Sequence, residues 1–277
     1  MKKCSTKILL YTVISIASFA LPSFPADMLQ PRMLIDAPTA GVLPKGSFDF
    51  ASRFYPAGDP SLGTGMIMGF DVGLTDRFSI GLSYGGEGLV GRKKNARFNY
   101  LPGWLIKYRL FEEDYIMPAM AIGYDHQGYG GMTDSADFGY KGYIYKSPGF
   151  FLALSKNYLL FTRVQFGIHG SVNFSMEELN NVKWPNASAG IDIGLNEELA
   201  LLCEYNFGLN TRDPVEDRTP VYARPSEGYL NAGVRWAFSP SFFAEFDAKD
   251  LLENRRDLHK TRVGWTREIK LVYISSF

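Results

Sequence analysis

The feature that most constrains this sequence is a repeated alternation, with period two, of large apolar residues with small or charged ones. In the clearest segment, 65–74, every second residue is large and apolar, and glycine or aspartate occupies most positions between. A β-strand directs successive side chains to opposite faces, so this pattern predicts a strand with one apolar and one polar face. The same pattern recurs at 78–85, 187–195, 199–208, 230–238 and 242–249.

Less regular segments of the same kind bring the predicted total to about twelve strands. They cover residues 46–54, 96–110, 116–124, 148–154, 158–172 and 263–277. The predicted connections alternate between long and short, and the short ones are 75–77, 111–115, 155–157, 196–198 and 239–241. This asymmetry is typical of outer-membrane barrels, which have short periplasmic turns and long external loops.

Alternation by itself also fits a soluble β-sandwich, which buries its apolar faces. Three features favour a barrel whose apolar face contacts lipid. The predicted strands are long for a soluble protein, the opposite face is rich in glycine and serine, and aromatic residues cluster near both strand ends on the apolar face. No later stretch has ~20 consecutive apolar residues, so no transmembrane helix is predicted. The predicted fold class is all-β, a single transmembrane antiparallel β-barrel of about 12 strands.

The first residues have the composition of a secretory signal peptide. Three lysines precede or border an apolar stretch, 8–20, that is too short to cross a bilayer comfortably. We expect cleavage between Ala20 and Ala26. The predicted domains are a signal peptide at 1–26, a periplasmic N-terminal segment or plug at 27–45, and an outer-membrane barrel at 46–277.

If the apolar face contacts lipid, the charged residues of the other face line the lumen. These predicted lumen-lining residues are Asp49, Arg53, Asp71, Arg97, Lys107, Arg109, Arg163, His169, Asp192, Glu204, Arg235, Glu245, Asp247, Lys249, Glu268 and Lys270. Two interpretations remain open. The charges form pairs that fill a narrow barrel, or bases on the fourth and seventh predicted strands face acids on the ninth to twelfth across a water-filled pore.

The sequence predicts no catalytic site, no metal site and no cofactor, and hence no enzyme. Asp125-His126, at the predicted root of an external loop, is the alternative candidate for an acid–base pair, although a polar loop root explains it more simply. No cysteine and histidine spacing typical of zinc is present. The formal net charge of +0 leaves no basic domain for nucleic acid.

Two stretches resemble YjbH-type outer-membrane proteins. They are 34–47, Leu-Ile-Asp-Ala-Pro-Thr-Ala-Gly-Val-Leu-Pro-Lys-Gly-Ser, and 73–81, Gly-Leu-Thr-Asp-Arg-Phe-Ser-Ile-Gly. This resemblance implies a role associated with exopolysaccharide production or export. The last predicted strand, which ends in Phe277, resembles the signal by which outer-membrane barrels engage the barrel-assembly machinery.

Together these observations predict a porin-like protein of the bacterial outer membrane. We expect a narrow channel or export-associated barrel for a small polar solute or saccharide, with outer-membrane lipid and the assembly machinery as its other partners. The alternative is a closed structural or surface-binding barrel that acts through its external loops, of which 209–229 is long and charged.

Overall fold

The computed structural model describes most of the chain beyond the N-terminal thirty residues. The described residues are 31–57, 63–91, 96–135, 140–160, 164–177, 184–210, 222–223, 227–254, 256–257 and 264–277. The predicted signal peptide, 1–26, lies outside them. Within the described part, no helix is long and apolar enough to span a bilayer.

Twelve antiparallel strands pair in a closed ring, which confirms the predicted all-β barrel. They are β1 (Ser47–Pro56), β2 (Thr64–Thr75), β3 (Phe78–Val90), β5 (Gly103–Phe111), β6 (Ala119–Asp125), β9 (Gly149–Leu160), β10 (Val164–Phe174), β11 (Asn186–Gly194), β12 (Leu199–Asn206), β14 (Tyr229–Ser239), β15 (Phe242–Lys249) and β17 (Thr266–Ser276). β1 pairs with β2 on one side and with β17 on the other, and this second pairing closes the ring.

Five shorter strands lie at the external end, among the long loops. They are β4 (Arg97–Phe98), β7 (Tyr129–Ser135), β8 (Tyr140–Tyr145), β13 (Tyr222–Ala223) and β16 (Arg256–Asp257). β4 extends the main sheet by pairing with β3, whereas β7 pairs with β8 and β13 pairs with β16 in two separate ladders.

The apolar face of the strands is exposed and the charged face is buried, the reverse of a soluble sandwich. On β2 and β3, the side chains of Phe70, Ile80 and Leu82 are 39–58% exposed. By contrast, Asp49 and Glu204 are 0% exposed. A closed ring leaves no strand edge unpaired, so this apolar exterior can lie in hydrocarbon without exposing backbone polar groups.

The short turn predicted at 155–157 is wrong, because β9 continues through these residues. The register pairs Val164 with Leu160 and Phe174 with Phe150, so the connection is at 161–163, outside the described residues. The polar residues at 155–157 resemble a turn in sequence. In the structure, Ser155 is buried and Nδ2 of Asn157 donates to Glu113 over 2.7 Å, so they continue the polar face of the strand.

The single strand predicted at 96–110 is divided in two. Residues between β4 and β5, which include Pro102, are not in a strand, as expected of a residue with a fixed φ and no N–H donor. Arg97 is therefore on the short β4, where its side chain is exposed. The predicted loop 125–147 also differs from expectation, since it contains the β7–β8 hairpin.

Replacing Val234 with arginine tests the exterior directly. Val234 is central in β14, and its cross-strand neighbours, Leu201 and Phe246, are exposed as well. In a lipid vesicle, we expect Val234→Arg to lower the free energy of unfolding by about 2–4 kcal/mol, measured by denaturant titration. Val234→Leu is the matched control and should change it by less than about 1.5 kcal/mol. Equal stability of the two variants would contradict a lipid-facing position.

Candidate functional site in the barrel lumen

Residues 31–45, here called the lumen segment, run inside the ring of strands as far as its periplasmic rim, where Pro44 and Lys45 are exposed. Leu34 and Ile35 are each 1% exposed and pack against Leu202 of β12. Ala40 is fully buried and packs against Ala119 and Ala121 of β6. The wall is closely packed at Gly190, where a Cβ atom would lie 2.4 Å from the carbonyl oxygen of Cys203 and 2.6 Å from Cδ1 of Leu34.

One buried carboxylate binds three consecutive backbone amides of the lumen segment. Oε2 of Glu204 accepts hydrogen bonds from the backbone N–H groups of Ile35, Asp36 and Ala37 over 3.0, 2.8 and 2.8 Å. Oε1 of Glu204 accepts from Nδ2 of Asn231 over 3.0 Å. Charge-assisted bonds of this kind are roughly twice as strong as neutral ones, so Glu204 is the principal anchor of the segment.

Two lysines of the wall bind backbone carbonyl groups of the same segment. Nζ of Lys107 donates to the carbonyl oxygens of Arg32 and Gly41 over 2.7 and 3.0 Å. Nζ of Lys270 donates to that of Ile35 over 2.7 Å. Together with Glu204, these two lysines bind the segment through its main chain, so this part of the anchoring does not depend on the side chains of the segment.

Asp36 is the charged junction between the lumen segment, the wall and the external β7–β8 hairpin. Its carboxylate pairs with Arg53 of β1 and with Lys249 of β15, the latter over 2.5 Å. The hydroxyl of Tyr129, from β7, donates to Asp36 over 2.8 Å. Burial alone would raise the pKa of Asp36, but Lys249 and Arg53 outweigh it and hold that pKa well below its usual range. Asp36 is therefore ionised, and both cations also contact Glu268.

Most of the other predicted lumen charges also form pairs. Arg32 of the lumen segment pairs with both Asp49 and Asp71. Along one wall, the ion pairs are Arg235–Glu245 at 2.5 Å, Lys270–Glu245 at 2.6 Å and Lys270–Asp247 at 3.0 Å. Acid and base thus alternate on neighbouring strands, the arrangement of the ion-pair interpretation. Buried charges without such partners would be strongly unfavourable.

Two of the predicted lumen residues are not part of this network, and a third, Arg163, lies outside the described residues. Arg97 is exposed on β4. Arg109 lies beside the periplasmic turn after β2, where its Nη2 donates to the carbonyl oxygen of Asp76 over 2.7 Å. The sequence pattern predicted a face of the strand for Arg109 but carried no information about the depth of this residue along the barrel.

His169 and Asp192 belong to a hydrogen-bonded chain that sequence reasoning missed. Nε2 of His169 lies 2.5 Å from Oδ1 of Asp192, and its Nδ1 lies 2.8 Å from Oγ of Ser155. Oγ of Ser155 accepts the backbone N–H of Ala40 over 2.9 Å. The chain therefore ends on the lumen segment. The sequence indication of this chain was the alternation of polar residues along 149–160, which was not recognised because a turn was predicted at 155–157.

The Asp125-His126 pair has the local contacts of a loop root. Oδ1 of Asp125 accepts the backbone N–H of Gln127 over 2.9 Å, and the backbone N–H of His126 donates to the carbonyl oxygen of Trp104. Among the residues that the structure describes, no cluster of three or more histidine, cysteine or acidic side chains has the arrangement needed to hold a metal ion.

The lumen segment separates two cavities. The periplasmic cavity has a volume of about 700 Å³ and includes residues of the short turns, such as Glu198 and Pro240. The external cavity has a volume of about 240 Å³ and includes Tyr129 and Tyr145 of the hairpin. Met33 and Pro38 of the segment line both cavities, as do wall residues such as Arg53 and Asp71. The two cavities are therefore adjacent and meet at the segment.

A closed antiparallel barrel with an apolar exterior and a charged, internally paired lumen defines an outer-membrane β-barrel protein. The protein is located in the bacterial outer membrane, where a closed barrel pairs every backbone N–H and C=O group of its strands within the lipid. This assignment depends on the strand pairing and on the distribution of apolar and charged side chains, both described above.

Several solved outer-membrane proteins align with this chain over most of its length. The KdgM porin shares 7% identity over 83% of this chain and 99% of its own, with a TM-score of 0.43. The outer membrane protein Omp33 of Acinetobacter baumannii shares 7% over 84% and 99%, with a TM-score of 0.43. The NanC porin shares 8% over 83% and 99%, with a TM-score of 0.41. No protein-family model matches the chain, and no curated protein matches it either. The resemblance to YjbH-type proteins thus gains no support from a family match.

Proposed function

We propose that this protein is a narrow outer-membrane channel, or an export-associated barrel, for a small polar solute or saccharide, and that the lumen segment closes it at rest. The observation that carries the proposal is the pair of cavities, one toward each side of the membrane, with the lumen segment between them. Removal of the segment would join the cavities into one polar path. The saccharide class of solute is also the one that the YjbH resemblance implies.

The chemistry of the contacts supports a closure that can be reversed. The segment is bound mainly by hydrogen bonds and ion pairs, such as those of Glu204 and Lys107, and only a few apolar side chains pack against the wall. Water entering the lumen can replace hydrogen bonds at a small net cost, whereas it cannot replace apolar packing. Binding by polar contacts is therefore compatible with reversible release of the segment from the lumen.

A closed structural or surface-binding barrel is the second candidate, and the density of these same contacts favours it. In that case the segment never leaves, and the external loops carry the function. Most of the predicted binding loop, 209–229, lies outside the described residues.

Deletion of residues 31–42 distinguishes the two candidates. This deletion retains Gly46, whose N–H donates to the carbonyl oxygen of Gly73 at the periplasmic rim. In planar bilayers, we expect the intact mature protein to be closed most of the time and the deletion variant to give discrete current steps. If the anchors hold the closed state by about 3 kcal/mol or more, the open fraction of the intact protein is below ~1%.

Folding of the variant is verified first, by β-sheet circular dichroism and by the heat-modifiable migration typical of intact barrels. A folded deletion variant that never conducts would reject the channel and leave the closed structural barrel. An intact protein that conducts as well as the variant would reject closure by the lumen segment.

A further inference from the structure

The external cavity has a wall of carboxamide and hydroxyl groups on adjacent strands. Asn173 on β10 pairs in register with Asn186 on β11, and Ser188 on β11 pairs with Asn206 on β12. All four side chains line the cavity. A carboxamide both donates and accepts hydrogen bonds, so this wall matches a solute that carries hydroxyl groups in several directions.

Asn206 has donor capacity that the protein does not use. Its Oδ1 accepts hydrogen bonds from Nδ2 of Asn186 and from the backbone N–H of Gly208, both over 2.9 Å. Among the described residues, its Nδ2 group has no protein acceptor. The Oδ1 atom of Asn206 therefore fixes the side chain in place, and its Nδ2 group is left to donate to a solute.

Aromatic rings complete the cavity. Tyr129 and Tyr145 of the β7–β8 hairpin are stacked with ring centroids 4.3 Å apart, and Tyr229 of β14 also lines the space. Rings with a polar hydroxyl at the edge offer an apolar surface together with a hydrogen-bonding group. A sugar ring has the matching character, since its C–H faces are apolar and its hydroxyl groups project around the edge.

The charges around the cavity disfavour an acidic solute. The lining carboxylates are Asp36, Asp71, Asp125 and Asp250, and the lining cations are Arg53, Lys146 and Lys249. Arg53 and Lys249 are already paired with Asp36, and Nζ of Lys146 donates to the carbonyl oxygen of Asn210 over 3.2 Å. An anion would have to displace these partners from the lining cations.

We propose that the external cavity binds an uncharged saccharide, one hexose unit at a time, and discriminates against uronic acids. A volume of about 240 Å³ is just below the ~300–1,000 Å³ of sites for drug-sized ligands, which suits one sugar ring. The inference rests on the proposed function, because only in a channel is this cavity the entrance to a path for the solute. Binding itself requires no opening of the lumen.

The test is equilibrium binding of D-glucose, D-galactose and D-glucuronate to the full-length mature protein in lipid nanodiscs, by saturation-transfer NMR and calorimetry. We expect millimolar binding of at least one hexose and at least tenfold weaker binding of glucuronate. Asn206→Ala removes the Nδ2 donor together with the oxygen that accepts from Asn186 and Gly208. It should weaken hexose binding by about 3–10-fold, the effect of one lost hydrogen bond.

Asn196→Ala is the matched control. Oδ1 of Asn196 also accepts two hydrogen bonds, from the backbone N–H groups of Glu198 and Leu199, but in a periplasmic turn. It should leave hexose affinity unchanged. Absence of hexose binding, tighter binding of glucuronate, or equal effects of the two substitutions would each overturn the inference. Binding by a barrel whose deletion variant never conducts would reject the channel and leave the binding site standing.

Discussion

Replacing Glu204 with alanine is expected to raise the accessibility of the lumen segment by about 100-fold, because breaking a buried charged network costs roughly 3–5 kcal/mol. The substitution leaves the backbone N–H groups of Ile35, Asp36 and Ala37 without their shared acceptor in a buried site. The closed arrangement therefore loses free energy that the released segment, hydrated by water, does not lose. At 1.4 kcal/mol per factor of ten, a loss of about 3 kcal/mol corresponds to the stated change.

The measurement is the rate at which a water-soluble thiol reagent modifies an Ala40→Cys reporter. Ala40 lies in the lumen segment and is fully buried, so the reagent reaches it only when the segment is released. Cys203, which would react separately, is replaced by alanine in every variant. Glu204→Gln, which retains one carbonyl acceptor without the charge, should give an intermediate rate. Glu198→Ala, at an exposed periplasmic turn, is the control. A Glu204→Ala rate equal to that of the control would show that Glu204 does not anchor the segment.

Asp36→Asn is expected to have the second-largest effect, an increase of about 10–100-fold in the same labelling rate. The substitution removes a charge that Arg53 and Lys249 share, although both cations keep Glu268 as a partner. The loss is therefore smaller than for a fully unpaired buried charge, which costs about 3–5 kcal/mol. Asp76→Asn is the matched control. Oδ1 of Asp76 also accepts a backbone N–H of the segment, that of Lys45, but in an exposed position, where the expected change is less than about fivefold.

We also expect the contacts of Asp36 to couple the external β7–β8 hairpin to the lumen segment. The hydroxyl of Tyr129 donates to Asp36, and Nζ of Lys249 contacts the same hydroxyl. Tyr129→Phe should therefore accelerate labelling in the wild-type background and have little further effect in Asp36→Asn, with an interaction energy of about 0.5–3 kcal/mol in a double-mutant cycle. Additive effects of the two substitutions would mean that the hairpin and the segment open independently.

The strand pattern of the sequence predicted the fold well where alternation was regular. The hairpins β2–β3, β11–β12 and β14–β15 turn where the sequence predicts, because their tips carry turn residues between two alternating runs. The prediction failed at 155–157, where serine, lysine and asparagine have the composition of a turn and the position of a strand. Polar residues are frequent both in turns and on the lumen face of a barrel, so composition alone could not separate these cases.

The sequence predicted less about the contacts inside the lumen than about the strands. The sequence indicated which side chains share a face of each strand, and it left two alternatives open for residues 27–45. The partners of Glu204, Lys107 and Asp36 come from positions between 17 and 213 residues away along the chain, and the ion pairs Asp36–Arg53 and Asp36–Lys249 are the two extremes. No periodicity within one strand encodes such pairings.

The sequence by itself determined the architecture of this protein, because a repeat of period two decides which side of every strand is apolar, and only a closed barrel keeps that side in lipid with its backbone paired. Only the tertiary structure decided what occupies the lumen. Closing the ring brings charges from distant strands together and creates an interior whose buried acids and bases need partners, and backbone and side-chain groups of residues 31–45 supply several of them. That demand arises from burial, which exists only after the strands have met.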